Sequence, residues 1–389
     1  MKIEIPKNVL KILKVLHDNA HDAYIVGGCV RDAILGRIPN DWDITTDAKP
    51  HEVKALFHRT IDTGIQHGTV TVRMGGESYE VTTYRIDGTY SDNRHPDAVT
   101  FTDDLREDLR RRDFTINAMA YSPRTGVVDA FGGISDLEAG IIRAVGDPDE
   151  RFSEDALRIL RAVRFAGQLN YEIEEETFRA ITKHGPDLIN VSEERIFTEI
   201  NNLLLSDHPE KLALVFDARF ESHICDSFPT ITRDRAAALD AALPAKKHLR
   251  WADLCRDSEE WEARDILLEL KADNDTIKKT VTLVEEMKRE MPSTETEIRR
   301  LLHDIGPELF DDLAALQKAP AEILATKEKI LERGDAYTLR MLAITGGDLM
   351  QMGYRQGPAI GETLEKLLDL VIEHPEMNTF ETLKRSLCE

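Results

Sequence analysis

The amino-acid sequence predicts an α+β protein in which a small N-terminal sheet domain precedes an all-helical remainder. Three observations carry that expectation. The first ~145 residues mix glycine-bearing loops with short β-like runs. From Glu154 onward, apolar residues recur at spacings of three and four, as amphipathic helices require. The chain has 389 residues, of which 41% are hydrophobic. That exceeds the ~100–200 residues of one ordinary domain, so two or more packed cores are expected.

Taken in order, Val9, Leu10, Ile12, Leu13 and Leu16 mark an opening amphipathic helix. Strand candidates follow at 23–28 (AYIVGG), 41–46 (DWDITT), 68–74 (GTVTVRM), 77–84 (ESYEVTTY) and 98–102 (AVTFT). The helical half runs through EDALRILRAVRF, EETFRAITKH, EERIFTEINNLLL, RDILLELK, IKKTVTLVEEMKRE and IGETLEKLLDLVIEH. No repeat of fixed period is visible. The loops Pro244 to Lys247 and Pro292 to Thr296 are the weak boundary signals of this half.

Composition narrows the function classes. No apolar run approaches the ~20 residues needed to cross a bilayer, and the N-terminus lacks the order of a signal peptide, so a soluble cytosolic protein is expected. Cys29, Cys225, Cys255 and Cys388 form no CxxC or zinc spacing and read as free thiols in a reducing compartment. The formal net charge of −22 argues against a nucleic-acid binder, because phosphate affinity is normally supplied by Lys and Arg. Only a local cluster of arginines, focusing a positive field on an acidic surface, could offset it.

Such clusters occur beside acidic residues of catalytic type. In Gly27-Gly28-Cys29-Val30-Arg31-Asp32 a strand runs into a helix whose first amides suit a triphosphate, with Arg31 as a charge-assisted donor. About ten residues on, Asp41 and Asp43 stand two apart in a predicted strand, so both carboxylates share a face while Trp42 takes the other. Paired carboxylates invite Mg²⁺, and two such ions can activate an attacking 3′-hydroxyl and steady departing pyrophosphate. Glu80 shares its face with Thr82 and Tyr84. It could assist that metal site across the sheet or simply face solvent.

A second constellation, Arg110 to Asp113, sets three cations before a carboxylate at the start of a predicted helical run. Arg112 could hold phosphate and Asp113 could accept from a ribose hydroxyl; a cap with ion pairs is the bland alternative. In a third, Asp155, Arg158, Arg161 and Arg164 recur every three residues as a slanted polar stripe, with Leu157, Leu160 and Val163 left to pack. An acceptor beside a donor matches the amino group and ring nitrogen of cytosine and adenine; uracil and guanine would turn a carbonyl toward Asp155. A helix laced with ion pairs would show the same spacing.

The order VGGCVRDAILGRIPNDWDI, RRDFTINAMA and EDALRILRAVRF resembles the class II tRNA nucleotidyltransferases, the bacterial CCA-adding enzymes, within the polymerase-β-like nucleotidyltransferase superfamily. VVDAFGG, GDPDERF, VSEERIFTEI and ITGGDLMQMGYRQGPAIGETLEKLL extend the resemblance over essentially the whole chain. It implies a catalytic head (1–146), a neck carrying the nucleotide-selecting helix (147–206), a helical body (207–305) and a helical tail (306–389). It implies Mg²⁺ at Asp41 and Asp43, nucleotide contacts from Gly28, Arg31, Arg112, Asp155, Arg158, Arg161 and Arg164, and a ribose contact from Asp113. The substrates implied are CTP, ATP and tRNA; the composition argues for no membrane contact, and monomer and homodimer are both left open. The stretch YRIDGTYSDNRHPDAVTFTDDL looks like the complete flexible loop that CC-only relatives carry shortened, so adenine addition is expected, with A-only addition left open. TIDTGIQHGTVTVRM replaces the Arg-rich stretch of bacterial poly(A) polymerases, which disfavours polyadenylation. Two readings of another class remain. His303-Asp304 could belong to an HD-type phosphohydrolase, although its further His and Asp ligands are not apparent. A non-catalytic RNA-binding protein would be expected to have lost the metal carboxylates, yet Asp41 and Asp43 are both present.

Overall fold

The computed structural model describes residues 3–88 and 98–387. The chain divides into two compact units, Met1–Ala241 with Ile266–Ala272, and Ala242–Asp265 with Asp273–Glu389.

The first unit opens with helix α1 (Lys7–Asp18), which buries Val9, Ile12, Leu13 and Leu16. Leu10 of the predicted stripe is instead 39% exposed, since at ~100° per residue it points away from the face its neighbours bury. Strand β1 (Ala23–Val26) leads through Gly27 into α2 (Gly28–Ile34), then β2 (Ile44–Thr46) and α3 (Pro50–Leu56). Next come β3 (Thr60–Gly64), β4 (Thr69–Met74) and β5 (Glu77–Thr83). A short antiparallel pair, β6 (Arg85–Asp87) and β7 (Val99–Phe101), flanks residues 89–97. The predicted flexible loop therefore lies partly outside the described residues.

Helix α4 (Leu105–Arg110), β8 (Met119–Ser122), β9 (Gly126–Asp129) and α5 (Gly133–Ala139) complete the sheet domain. The sheet order is β3-β4-β5-β2-β1-β8-β9, antiparallel except where β2 runs beside β5. Two expectations change here. The strand predicted over 41–46 begins only at Ile44, where pairing with Ile25 and Val81 starts, so Asp41 and Asp43 sit in the segment leading into it. Arg110 to Asp113 ends a helix rather than beginning one. A single 3-10 turn at Thr115–Asn117 follows, and AMAYS then becomes β8 in the middle of the sheet.

Helices α6 (Pro148–Glu154), α7 (Leu157–Leu169), α8 (Glu175–His184) and α9 (Glu193–Leu204) follow within the same unit. The stretch EDALRILRAVRF is thus not one helix. Asp155 is extended (φ −146°) between α6 and α7, and its Oδ1 accepts the Leu157 amide at 3.1 Å as a cap. Helix α7 packs on α9 so closely that a side chain at Gly167 would strike Leu203 and the His208 carbonyl.

The second unit is helical, with long helices at Lys247–Leu254, Asn274–Glu286, Glu295–Leu316, Ala321–Arg333 and Pro358–Glu373. Leu349, Leu367, Leu368, Val371, Ile372 and Leu383 form one of its cores. The run carrying His303 is not one continuous helix. It breaks at Gly306, whose φ of 77° suits glycine, before Pro307 restarts the turn. His303 Nδ1 lies 3.0 Å from the Tyr337 carbonyl oxygen, which ties it to backbone.

Candidate active site

The site is built on the β1–α2 corner. Gly27 has φ 82°, and a Cβ there would lie 2.8 Å from Arg112 Nη1, so both conformation and space call for glycine. One turn along α2, Arg31 is buried. It donates to Asp32 Oδ1 (2.9 Å) and Asn117 Oδ1 (2.7 Å) and stands over the Phe165 ring at 5.0 Å. Asp43 keeps its backbone tied to β1, the Val26 amide donating to its carbonyl at 3.0 Å. Because Ile44 pairs with Val81 in parallel, the residue before each, Asp43 and Glu80, come side by side. Glu80 is exposed at the edge of this carboxylate group.

The electrostatics follow from that crowding. Burial pushes the Asp43 carboxyl up to about 6, Asp41 and Glu80 push it the same way, and Arg112 opposes them. Carboxylates that raise one another's proton affinity suit a small divalent metal, which would remove the repulsion. Arg112 is the cation whose charge opposes that rise. Its ion pair with the buried Asp108 is long, 3.7 Å, and its buried Nε has no hydrogen-bond partner among the described residues.

The stripe on α7 divides its work. Arg161 grips Asp113 Oδ2 through Nε (2.9 Å) and Nη2 (2.6 Å), while Asp113 Oδ1 accepts from the Phe114 amide and Asn117 Nδ2. Burial alone would raise the Asp113 carboxyl, but the Arg161 guanidinium and these donors hold it well below the usual carboxylate range. Arg158 donates to Glu154 Oε2 (2.6 Å), the Arg151 carbonyl (3.0 Å) and the Arg111 carbonyl (3.2 Å). Asp155 pairs with Arg195 at 2.9 Å, not with Arg158. Arg164 pairs with Glu199 at 2.5 Å and lies over Phe165 at 4.1 Å. Gly28, Arg31, Asp41 and Arg164 line a cavity of 620 Å³, the size of a nucleotide-scale site. Trp42 lines an adjoining cavity with Pro6 and Ile38, and Arg37 and Ile38 line both cavities.

Five residues of this network escaped the sequence reading: Asn117, Asp108, Glu154, Arg195 and Glu199. Glu199 left a trace, since it interrupts the apolar face of Ile196, Ile200 and Leu203, and a buried carboxylate needs a cation. Arg110, by contrast, is exposed and pairs with Glu107, and Arg111 turns to Asp108, so only Arg112 of the three cations joins the acids.

A mixed sheet with clustered carboxylates at one corner, facing arginines on an adjoining helix, defines a nucleotidyltransferase head. Residues 23–143 match the family described as the Poly A polymerase head domain, 170–218 the Probable RNA and SrmB-binding site of polymerase A, and 244–387 the tRNA nucleotidyltransferase domain 2. A CCA-adding enzyme of Lactobacillus helveticus is 37% identical over 396 residues, covering 97% of this chain and 96% of that protein. The crystal structure of the Bacillus stearothermophilus CCA-adding enzyme in complex with CTP superimposes with a TM-score of 0.85 at 32% identity, covering 98% of both chains. The Thermotoga maritima CCA-adding enzyme complexed with tRNA shares the fold, with a TM-score of 0.67 at 21% identity over 97% of this chain and 94% of that one. The chain belongs to the CCA-adding enzyme family, tRNA nucleotidyltransferases of a class that uses divalent metal ions. Among the described residues, no helix is long and apolar enough to cross a membrane.

Proposed function

We infer that this chain adds C, C and A to the 3′ end of tRNA from CTP and ATP, without a nucleic-acid template, in the cytoplasm. The observation that carries the reading is end-to-end similarity, above 30% identity, to a CCA-adding enzyme bound to CTP. In each addition the tRNA 3′-oxygen bonds the α-phosphorus of the incoming nucleotide, the bond from that phosphorus to the β-bridging oxygen breaks, and pyrophosphate leaves. Mg²⁺ held by Asp41 and Asp43, with Glu80 alongside, would supply charge neutralisation on the phosphates and acidify the 3′-hydroxyl.

The remaining work falls to this chain's own side chains. Arg112, whose side chain keeps part of its surface exposed, neutralises triphosphate, and Gly28 lets that anion approach the first turn of α2. Arg31 is held by Asn117 and Asp32 as part of that wall. Asp113 keeps Arg161 aligned, and a ribose hydroxyl would have to share its carboxylate with that arginine. Asp155 and Arg158 would read the base edge, accepting from the amino group of C or A and donating to its ring nitrogen. For this Arg158 must exchange Glu154 or the Arg111 carbonyl for the base. Arg161 and Arg164 both stand over the Phe165 ring. The partition into head 1–146, neck 147–206, body 207–305 and tail 306–389 belongs to this reading.

The test is incubation with Mg²⁺ and a tRNA transcript lacking CCA, given each nucleotide singly and CTP with ATP together. Growth by three residues and a stop, with CTP and ATP only, is expected. A single A added to CC-ended tRNA alone would instead mean A-only addition, and long tails would mean poly(A) synthesis.

A further inference from the structure

The second unit brings three metal-ligating side chains together, none of them used by nucleotide transfer. His248 lies on the helix Lys247–Leu254; Glu308 and Asp312 lie one turn apart on the helix that restarts after Gly306. One ligand atom from each lies within 4.8 Å of the other two. His248 Nε2 and Asp312 Oδ2 are 2.7 Å apart and both residues are buried, whereas the Glu308 side chain, 57% exposed, forms the open side. Two ammonium groups cover the carboxylates: Lys246 Nζ lies 2.7 Å from Asp312 Oδ1, and Lys279 Nζ lies 3.5 Å from Glu308 Oε2.

We propose that His248, Glu308 and Asp312 bind a divalent transition ion of the Zn²⁺ type, which braces their two helices. An i,i+4 pair presents both carboxylates in one direction, and the imidazole comes from the facing helix. One nitrogen and two oxygens favour Zn²⁺ and its neighbours over Mg²⁺, which takes oxygen alone, and leave a fourth tetrahedral position for water. The lysines put positive charge where the ion would put it. Both sit on long flexible stems that can return to solvent when a metal replaces them. Bonds of ~2.0–2.2 Å would draw Glu308 inward by a rotamer change and part His248 from Asp312 to ~3.2 Å.

The test uses the full chain carrying Asp41→Ala and Asp43→Ala, so that the nucleotide site does not compete. Zn²⁺ alone is titrated calorimetrically in excess Mg²⁺, beside the same chain with Glu308→Gln or His248→Gln added. One saturable equivalent is expected, weakened by at least about tenfold in either variant, together with a melting temperature that rises with Zn²⁺ in the parent. Glu308 is exposed, so Glu308→Gln should melt like the parent without metal, which separates lost binding from lost folding. Absence of a saturable equivalent in the parent, or equal affinity in Glu308→Gln, overturns the proposal.

Discussion

Burial raises the Asp43 carboxyl to about 6, with Asp41 and Glu80 adding repulsion and Arg112 offsetting part of it. The ordinary value is ~3.9, so folding favours the neutral form. The stability this group contributes is complete below ~3.9 and is lost as the pH rises through about 6. At pH 7.5 the metal-free protein therefore carries a cost on the order of 1–3 kcal/mol at this carboxylate. Asp43→Asn should raise the metal-free melting temperature by roughly 2–4 °C at pH 7.5, and by much less at pH 4. A lower melting temperature at both pH values would contradict the account. The same crowding makes the acids costly to lose for chemistry. Asp41→Ala and Asp43→Ala are each expected to slow CMP incorporation by on the order of a thousandfold. Appreciable turnover in either would refute the metal assignment.

At the scale of elements, α7 shows how a regular spacing becomes unequal roles. Three residues per step advance 300° around a helix, so Arg158, Arg161 and Arg164 drift onto different neighbours: the Arg111 carbonyl, Asp113 and Glu199. Asp155→Ala removes the cap on Leu157 and the partner of Arg195 as well as the proposed base acceptor. It should relax discrimination against UTP and GTP and cost about 1 kcal/mol of stability from the cap. Unchanged nucleotide selectivity at equal protein stability would remove Asp155 from the base-reading role. The same element shows what could be read in advance. The helical periodicity of α7, α8 and α9 was plain, because their apolar stripes face a core, as were the order and residue types of the candidate site. The strand limit at Ile44 was not, since a period of two continues unbroken through Asp41 and Asp43 and only pairing with β1 decides where the ladder starts. Nor was β8, because Ala and Met favour helix and sheet burial overrides that preference. Asn117 stood in view within RRDFTINAMA. Its bonds to Arg31 and Asp113 arise from tertiary approach across 86 residues in one case, which no local pattern encodes.

Over the whole molecule, a net charge of −22 opposes the approach of tRNA, and only local excesses of Arg and Lys can offset it. Screening by salt weakens that repulsion as well as the attraction. The tRNA affinity is therefore expected to fall gently with ionic strength, with a log–log slope shallower than about −4 between 50 and 200 mM salt. A slope as steep as that of strongly basic nucleic-acid binders would show that phosphate contacts outnumber what this surface offers.

The first unit takes its last segment, Ile266–Ala272, from beyond the start of the second. Ile266, Leu267 and Leu270 of that segment are fully buried, and its Glu269 accepts from the Ser227 amide and hydroxyl. During synthesis the first 241 residues cannot close this part of their structure when they leave the ribosome. At ~5–20 residues per second they wait roughly 2–6 s for the missing turn to be made, with an apolar face uncovered in the meantime. No single cleavage of the chain can yield the first unit whole and the second unit whole. The reach of Ile266–Ala272 makes the order of translation part of how this protein comes to be folded.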